Sequence, residues 1–504
     1  MKHLLLLSCL WITTLLANAQ NPSESLTIEN KSFKSKSGTV VEAQVGSLMV
    51  PENRANPDSE NISIHFIQLK SINPTSQVPL VYLEGGPGQS CTWQADDPFY
   101  LERWLPFLKV SDVILLDQRG TGAGTQRVLY ITPKDVPADI FANQKVREEY
   151  LATMSQAALA EFEQRKVDLR GYTTLENAQD IDNLRQALSY EQVSLLGFSY
   201  GTHLGLAYMK YFGQHVKNAV LIGVEGLNHT FKLPSTFVAQ FQKIALLAQA
   251  DPKVNKEVPD LIDLYDRIIK RLEEKPVKLK VASPLTGESM PINIGSFGLN
   301  LILLSDISDA SDIPVFPRLL FSIDQGDYDI LQWFVQKRVG DLYGVQGMNA
   351  TMDPASGASS DRLKRIEKET VDSPFRDVLS AMMQNDWPSP DLGEEFRAPF
   401  SSNIRTLLMS GTLDSNTPPY QAEEVRWGFS NSSHIIIDFA GHEQILAHPQ
   451  AISTITQFLR EEDVSDITLS YPALEFIPVK GSPGELSHPS IQNDYQHVTE
   501  KNED

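Results

Sequence analysis

The chain has 504 residues, of which 41% are hydrophobic and 21% charged, the balance of an ordinary globular protein. Its 64 acidic and 43 basic side chains leave a formal net charge of −21, which argues against general nucleic-acid binding because nothing would neutralise phosphates. Length allows one large domain or a core with a sizeable insertion.

Met1-Lys2-His3, the apolar run Leu4 to Leu16 and Ala17-Asn18-Ala19 have the three parts of a secretory signal peptide. Cleavage after Ala19 would start the mature chain at Gln20 and make it secreted or periplasmic. The run is too short to span a bilayer and no other stretch could, so stable membrane insertion is not expected. Cys9 falls within the signal and Cys91 then stands alone, which leaves no disulfide and no thiolate zinc site. Residues 20 to about 36 are polar and read as poorly ordered.

Thr39 to Val50 and Ile62 to Leu69 are β-rich runs flanking a turn-rich segment, which predicts an antiparallel pair. Val78 to Leu83 is the next strand and runs into Gly85-Gly86-Pro87-Gly88. Asp112 to Leu116 is another, ending at Asp117-Gln118-Arg119-Gly120-Thr121-Gly122. Apolar positions from Leu175 to Leu188 recur with helical period and lead to the strand Val193-Ser194-Leu195-Leu196. Gly197-Phe198-Ser199-Tyr200-Gly201 follows, then a helix, then the strand Ala219 to Val224. Alternating strands and helices predict an α/β fold, a mostly parallel sheet covered on both faces.

From Leu227 to Pro399 the chain reads as helices with few strands, and sheet rhythm resumes at Ile404 to Met409 and His434 to Ile437. The expected organisation is a core of residues 20–226 and 400–462, a helical cap at 227–399 over the carboxyl edge of the sheet, and an acidic tail at 463–504.

A serine alone on a strand-to-helix turn, with glycine two places before and after, is the context of a nucleophile elbow. Ser199 then needs a base, and the base an orienting carboxylate. Asp414 lies just past the strand ending at Met409, and His442 just past the strand ending at Ile437. Strand ends of a parallel sheet gather at one edge, so both should meet Ser199 there. His203, His434 and His448 are weaker candidates, since none lies in such a loop. The amides of Gly86 and Tyr200 are candidates for an oxyanion hole, although the glycines would equally serve a plain tight turn. The chain has no phosphate-binding glycine motif and no metal or cofactor is expected. Asp117 and Arg119 read as braces beneath the elbow.

Together, Gly85-Gly86-Pro87-Gly88, Asp117 to Gly122, Gly197 to Gly201, Asp414 and His442 resemble the α/β-hydrolase superfamily, and within it the proline iminopeptidase and tripeptidyl aminopeptidase family of serine exopeptidases. Gly46 to Pro51 with Asn56-Pro57-Asp58, Tyr172-Thr173-Thr174, and Asp251-Pro252 through Leu261 are similar to the tripeptidyl branch. Glu84 departs from the histidine usual in iminopeptidases, the cysteines of the tripeptidyl branch are absent, and Glu443 follows the histidine where a small residue is usual. The resemblance implies a small peptide substrate whose free ammonium meets carboxylates near the elbow. Glu225 is one candidate, with pairing to Lys232 or capping of Thr230 as its alternative, and the cap acids Asp324, Asp327 and Asp329 are others. An esterase with the same three residues, and a catalytically silent binding protein, are the competing readings; oligomeric state is not legible.

Overall fold

The structure, a computed structural model, describes residues 26–122, 128–132, 135–382 and 387–481. The signal-peptide segment and residues 482–504 of the tail lie outside the described residues.

Ten strands form one sheet: β1 (Leu26–Lys34), β2 (Val40–Pro51), β3 (Asn61–Leu69), β4 (Leu80–Leu83), β5 (Val113–Leu116), β6 (Val193–Phe198), β7 (Val216–Ile222), β8 (Arg405–Gly411), β9 (Ser432–Asp438) and β10 (Leu469–Ser470). Their spatial order is β1-β2-β3-β5-β4-β6-β7-β8-β9-β10. The pairings from β1 through β3 to β5 are antiparallel, and all from β5 onward are parallel. The central strands β4, β5 and β6 are buried at every residue, as expected of strands covered on both faces.

One correction concerns β1, which occupies much of the segment read as poorly ordered. It pairs with β2 over its whole length, Leu26 opposite Leu48 to Lys34 opposite Val40. Its side chains are mostly exposed, with Phe33 the buried exception. Backbone ladder bonds hold such an edge strand, so polarity of its side chains is no argument against it.

Two apolar layers cover the two faces of the sheet, one centred on Phe66, Tyr172 and Tyr208, the other on Trp104, Val220 and Phe458. A third core lies above the carboxyl edge and is built mainly from the helices between β7 and β8, among them Pro234–Ala250, Leu261–Glu274, Ser296–Asp306, Phe316–Gln325 and Asp329–Val339. This block also holds a hairpin, Val277–Ala282 against Ser289–Ile294. It further recruits Ile140, Phe141, Tyr150 and Met154 from between β5 and β6. The long helix Gln144–Gln164 thereby bridges cap and core, since its later residues Ala158 and Phe162 pack on the sheet layer.

The chain after Glu462 does not leave the surface at once. Leu469–Ser470 adds the last parallel strand, and Phe476, Ile477 and Val479 then bury themselves in the cap core. Arg318 of the cap donates to the carbonyls of Pro478 and Gly481. No helix among the described residues is long and apolar enough to cross a membrane.

Candidate active site

Ser199 sits between β6 and the helix Tyr200–Phe212 with φ 54° and ψ −124°, a left-handed turn that a side chain adopts only under constraint. The constraint is close packing. A Cβ on Gly201 would collide with the Leu83 carbonyl of β4, and one on Gly197 would lie 2.5 Å from the Gly201 carbonyl oxygen. Glycine at both positions is therefore required by contact.

The structure brings Ser199, His442 and Asp414 together. His442 Nε2 lies 2.9 Å from Ser199 Oγ, and its Nδ1 lies 2.8 Å from Asp414 Oδ2. Asp414 Oδ1 accepts from the amides of Asn416 (2.8 Å) and Thr417 (3.0 Å), and Oδ2 also accepts from the Thr417 hydroxyl. Burial by itself would raise the Asp414 pKa, but the His442 charge and these donors reverse this and hold it below the usual carboxylate value. Burial would likewise lower the His442 pKa, yet Asp414 outweighs it and leaves the imidazole above its ordinary value. The Phe198 ring packs 5.1 Å from the His442 ring and helps fix its plane.

Both loops rest on Ser308, a buried residue of the helical block. Its Oγ accepts from the amides of Ser415 and Asn416, each at 3.1 Å, and lies 2.6 Å from Ser415 Oγ. Its carbonyl accepts from the His442 amide at 2.8 Å. No sequence signal marked it, because a lone serine carries none.

The Gly85–Gly86 segment abuts the elbow, for a Cβ at Gly85 would be 3.2 Å from Ser199 Cβ. Gln118 fixes it: its Nε2 donates to the Glu84 (2.9 Å) and Gly85 (3.1 Å) carbonyls, and its Oε1 accepts from the Gly88 amide (2.8 Å). The Gly86 and Tyr200 amides have no intramolecular acceptor among the described residues. The Tyr200 hydroxyl lies 2.9 Å from Thr174 Oγ1, and its amide is one of the unpaired donors of the first helical turn, directly after Ser199. Asp117 and Arg119 do brace the surroundings. Asp117 accepts from the amides of Cys91 and Thr92, and the fully buried Arg119 binds Asp180 and the carbonyls of Pro51, Glu52 and Gly171.

A cleft of about 410 Å³ opens on Ser199 and His442, with Glu84 and Glu443 on its lining and Tyr82, Trp104, Phe107 and Phe198 among its apolar walls. Glu225 is not among the residues lining it. Its carboxylate is paired with Lys232, the alternative the sequence had left open, and stands 3.8 Å from buried His203. Asp353 lies in the same cluster, its pKa pushed well up by burial and by the Glu225 charge. Asp327 and Asp329 line a different groove beside Trp333 and Lys480, and Asp324 pairs with Arg271. His203 contacts the Gly226 carbonyl and Ser356, His434 contacts Glu423 and Ser410, and His448 contacts the Ser470 carbonyl, so none of them touches Ser199.

The alpha/beta hydrolase fold family matches residues 78–449. The tripeptidyl aminopeptidase of Streptomyces coelicolor is 30% identical over 196 residues, covering 36% of this chain and 35% of that protein. Serine protease Hip1 of Mycobacterium tuberculosis is 28% identical over 196 residues, covering 36% of each. The chain thus spans about a third of the length of the curated relatives it matches. Among solved structures, a proline iminopeptidase-related protein of Thermus thermophilus aligns with 15% identity and a TM-score of 0.35, over 83% of this chain and 96% of its own.

Proposed function

Because the chain belongs to the alpha/beta hydrolase family, we propose that it is an exported serine aminopeptidase that removes residues or short peptides from free peptide N-termini. The observation that carries this reading is the unbroken chain from Ser199 Oγ through His442 to Asp414, at 2.9 and 2.8 Å. In the proposed mechanism Ser199 Oγ attacks the scissile carbonyl carbon as His442 Nε2 takes its proton. The carbonyl electron pair moves onto oxygen, where the amides of Gly86 and Tyr200 receive it. His442 then gives the proton to the leaving nitrogen as the C–N bond breaks, and an acyl ester remains on Ser199. Water, deprotonated by His442, attacks that ester; the acyl–oxygen bond breaks, His442 returns the proton to Ser199 Oγ, and the acid leaves. Asp414 keeps the imidazole in the tautomer that points its free nitrogen at the serine.

The names of the relatives, an aminopeptidase and a serine protease, support the peptidase side of the reading. The cleft volume suits a short peptide better than a folded protein. Its aromatic walls favour a second reading, a carboxylesterase, because the same tetrahedral chemistry serves ester and amide. Hydrolysis of free-amino amides, their N-acetylated forms and a short acyl ester separates the two. Preference for free-amino amides is expected, and cleavage of the ester alone would overturn the peptidase. Ser199→Ala should abolish hydrolysis of every substrate without lowering the melting temperature, and retained turnover would remove Ser199 from the mechanism.

A further inference from the structure

The Ser199 cleft carries two negative charges that nothing in the proposed mechanism uses. Glu84 immediately precedes the Gly85–Gly86 segment, Glu443 immediately follows His442, and both line one cavity with Ser199. Glu84 is held firmly but only by neutral donors. Its Oε1 accepts from the Gly85 amide (2.9 Å) and the Tyr82 hydroxyl (3.1 Å), and its Oε2 from Gln94 Nε2 (2.9 Å). Among the described residues the Glu443 carboxylate has no hydrogen-bond or ion-pair partner. Water reaches it at the mouth of the cleft, while dense protein around it still raises its pKa. Burial raises the Glu84 pKa as well, and the Glu443 charge adds to the rise.

The cations nearby are otherwise engaged. Arg103 lines the cleft but lies over the Tyr100 ring, 4.7 Å from its centre, and pairs with neither glutamate. Lys232 is paired with Glu225. Half-buried Glu84 and exposed Glu443 line one cavity with no cation among the described residues paired to either, and an arriving cation would offset the repulsion between them. The same cavity has an aromatic floor of Tyr82, Trp104, Phe107 and Phe198, which suits an apolar side chain.

We propose that Glu84 and Glu443 form an ammonium subsite beside Ser199, with the aromatic floor below them taking the apolar part of the same substrate. This rests on Ser199 being the nucleophile and deepens the aminopeptidase reading, since it replaces Glu225 as the group that selects for a free amine. An ammonium has three donors, enough for both carboxylates, and makes charge-assisted bonds that an acetylated nitrogen cannot. Two sources offer this chemistry, a peptide N-terminus and a lysine side chain.

The test compares the wild-type protein with Glu84→Gln, Glu443→Gln and the double variant. The chromogenic substrates are a free leucyl amide, its N-acetyl form, an N-acetyl-lysyl amide and a short acyl ester. In the wild type the leucyl amide should exceed its acetylated form in kcat/KM. In the double variant that ratio should fall about ten- to a hundredfold, chiefly through KM, as expected for loss of hydrogen bonds to charged groups. A fall confined to the N-acetyl-lysyl amide would assign the ammonium to a side chain instead. An unchanged ratio in a double variant with wild-type melting temperature would overturn the subsite. If the wild type cleaves only the ester, the aminopeptidase reading falls and butylammonium becomes the probe. Competitive inhibition of ester hydrolysis, weakened about tenfold or more in the double variant, would keep the subsite. No inhibition by butylammonium would remove it.

Discussion

Replacing Gln118 with leucine, which is one atom shorter and removes polarity, should separate the support of the Gly85–Gly88 loop from the fold around it. Three hydrogen bonds are lost: two from Nε2 to the Glu84 and Gly85 carbonyls and one from the Gly88 amide to Oε1. At about 0.5–1.5 kcal/mol each they hold the loop by roughly 1.5–4.5 kcal/mol. The ceiling on the catalytic effect is complete loss of the Gly86 donor, about 10²–10³ in kcat. Gln118→Leu should therefore lower kcat between about tenfold and a thousandfold, on ester and amide alike, with a smaller change in KM. The assay is steady-state hydrolysis well below the melting transition, with a melt on the same sample. Ile268→Ala, fully buried in the helix Leu261–Glu274 and not among the residues lining the Ser199 cleft, supplies a control of comparable destabilisation, about 2–5 kcal/mol, without loss of kcat. If Gln118→Leu melts early yet turns over within twofold of wild type, Gln118 supports the fold alone and the reasoning fails.

Asp414→Asn should lower kcat by about 10⁴-fold, the scale seen when the orienting acid is replaced. Only neutral His442 can accept the serine proton, so wild-type kcat/KM should rise with pH through the raised His442 pKa, and in Asp414→Asn that rise should move to lower pH. Because the folded imidazole titrates above its unfolded value, its protonation stabilises the fold at low pH, a contribution lost as pH climbs through the folded pKa. Melting curves of wild type and variant across that window read the difference directly. Arg119→Met leaves buried Asp180 with Arg54 as its remaining partner and strips a donor from the Pro51, Glu52 and Gly171 carbonyls; it should cost about 1–3 kcal/mol or more, visible as an earlier urea midpoint. Gly201→Ala drives a methyl into the Leu83 carbonyl and should destabilise by about 1–3 kcal/mol or more, with loss of turnover from a displaced Ser199; a wild-type melt and rate would contradict the contact argument.

Legibility followed the kind of signal each residue carries. The elbow could be read because its glycines answer to a steric demand that leaves few alternatives. Asp414 and His442 could be read because a parallel sheet delivers its strand ends to one edge, so position after a strand implies proximity. Gln118, Thr417 and Ser308 had no such mark: their hydrogen bonds join segments distant in sequence, and only folding brings them to the site. Glu225 shows the opposite error. Its place after β7 aimed it at the serine, but a lysine further along the same loop takes its charge. β1 was obscured by its polar side chains, and the cap hairpin by the helices around it.

Ser308 also bears on how this protein can be re-engineered or can diverge. Cap and sheet would normally count as exchangeable modules, one carrying specificity and the other chemistry. Here a cap serine fixes the backbones of the Asp414 and His442 loops, so the alignment of the proposed reacting groups is partly owned by the insertion. A chimera that grafts another cap onto this sheet would have to bring an equivalent hydroxyl and carbonyl to the same point in space. Without them it would inherit Ser199, His442 and Asp414 and still hold two of them loosely.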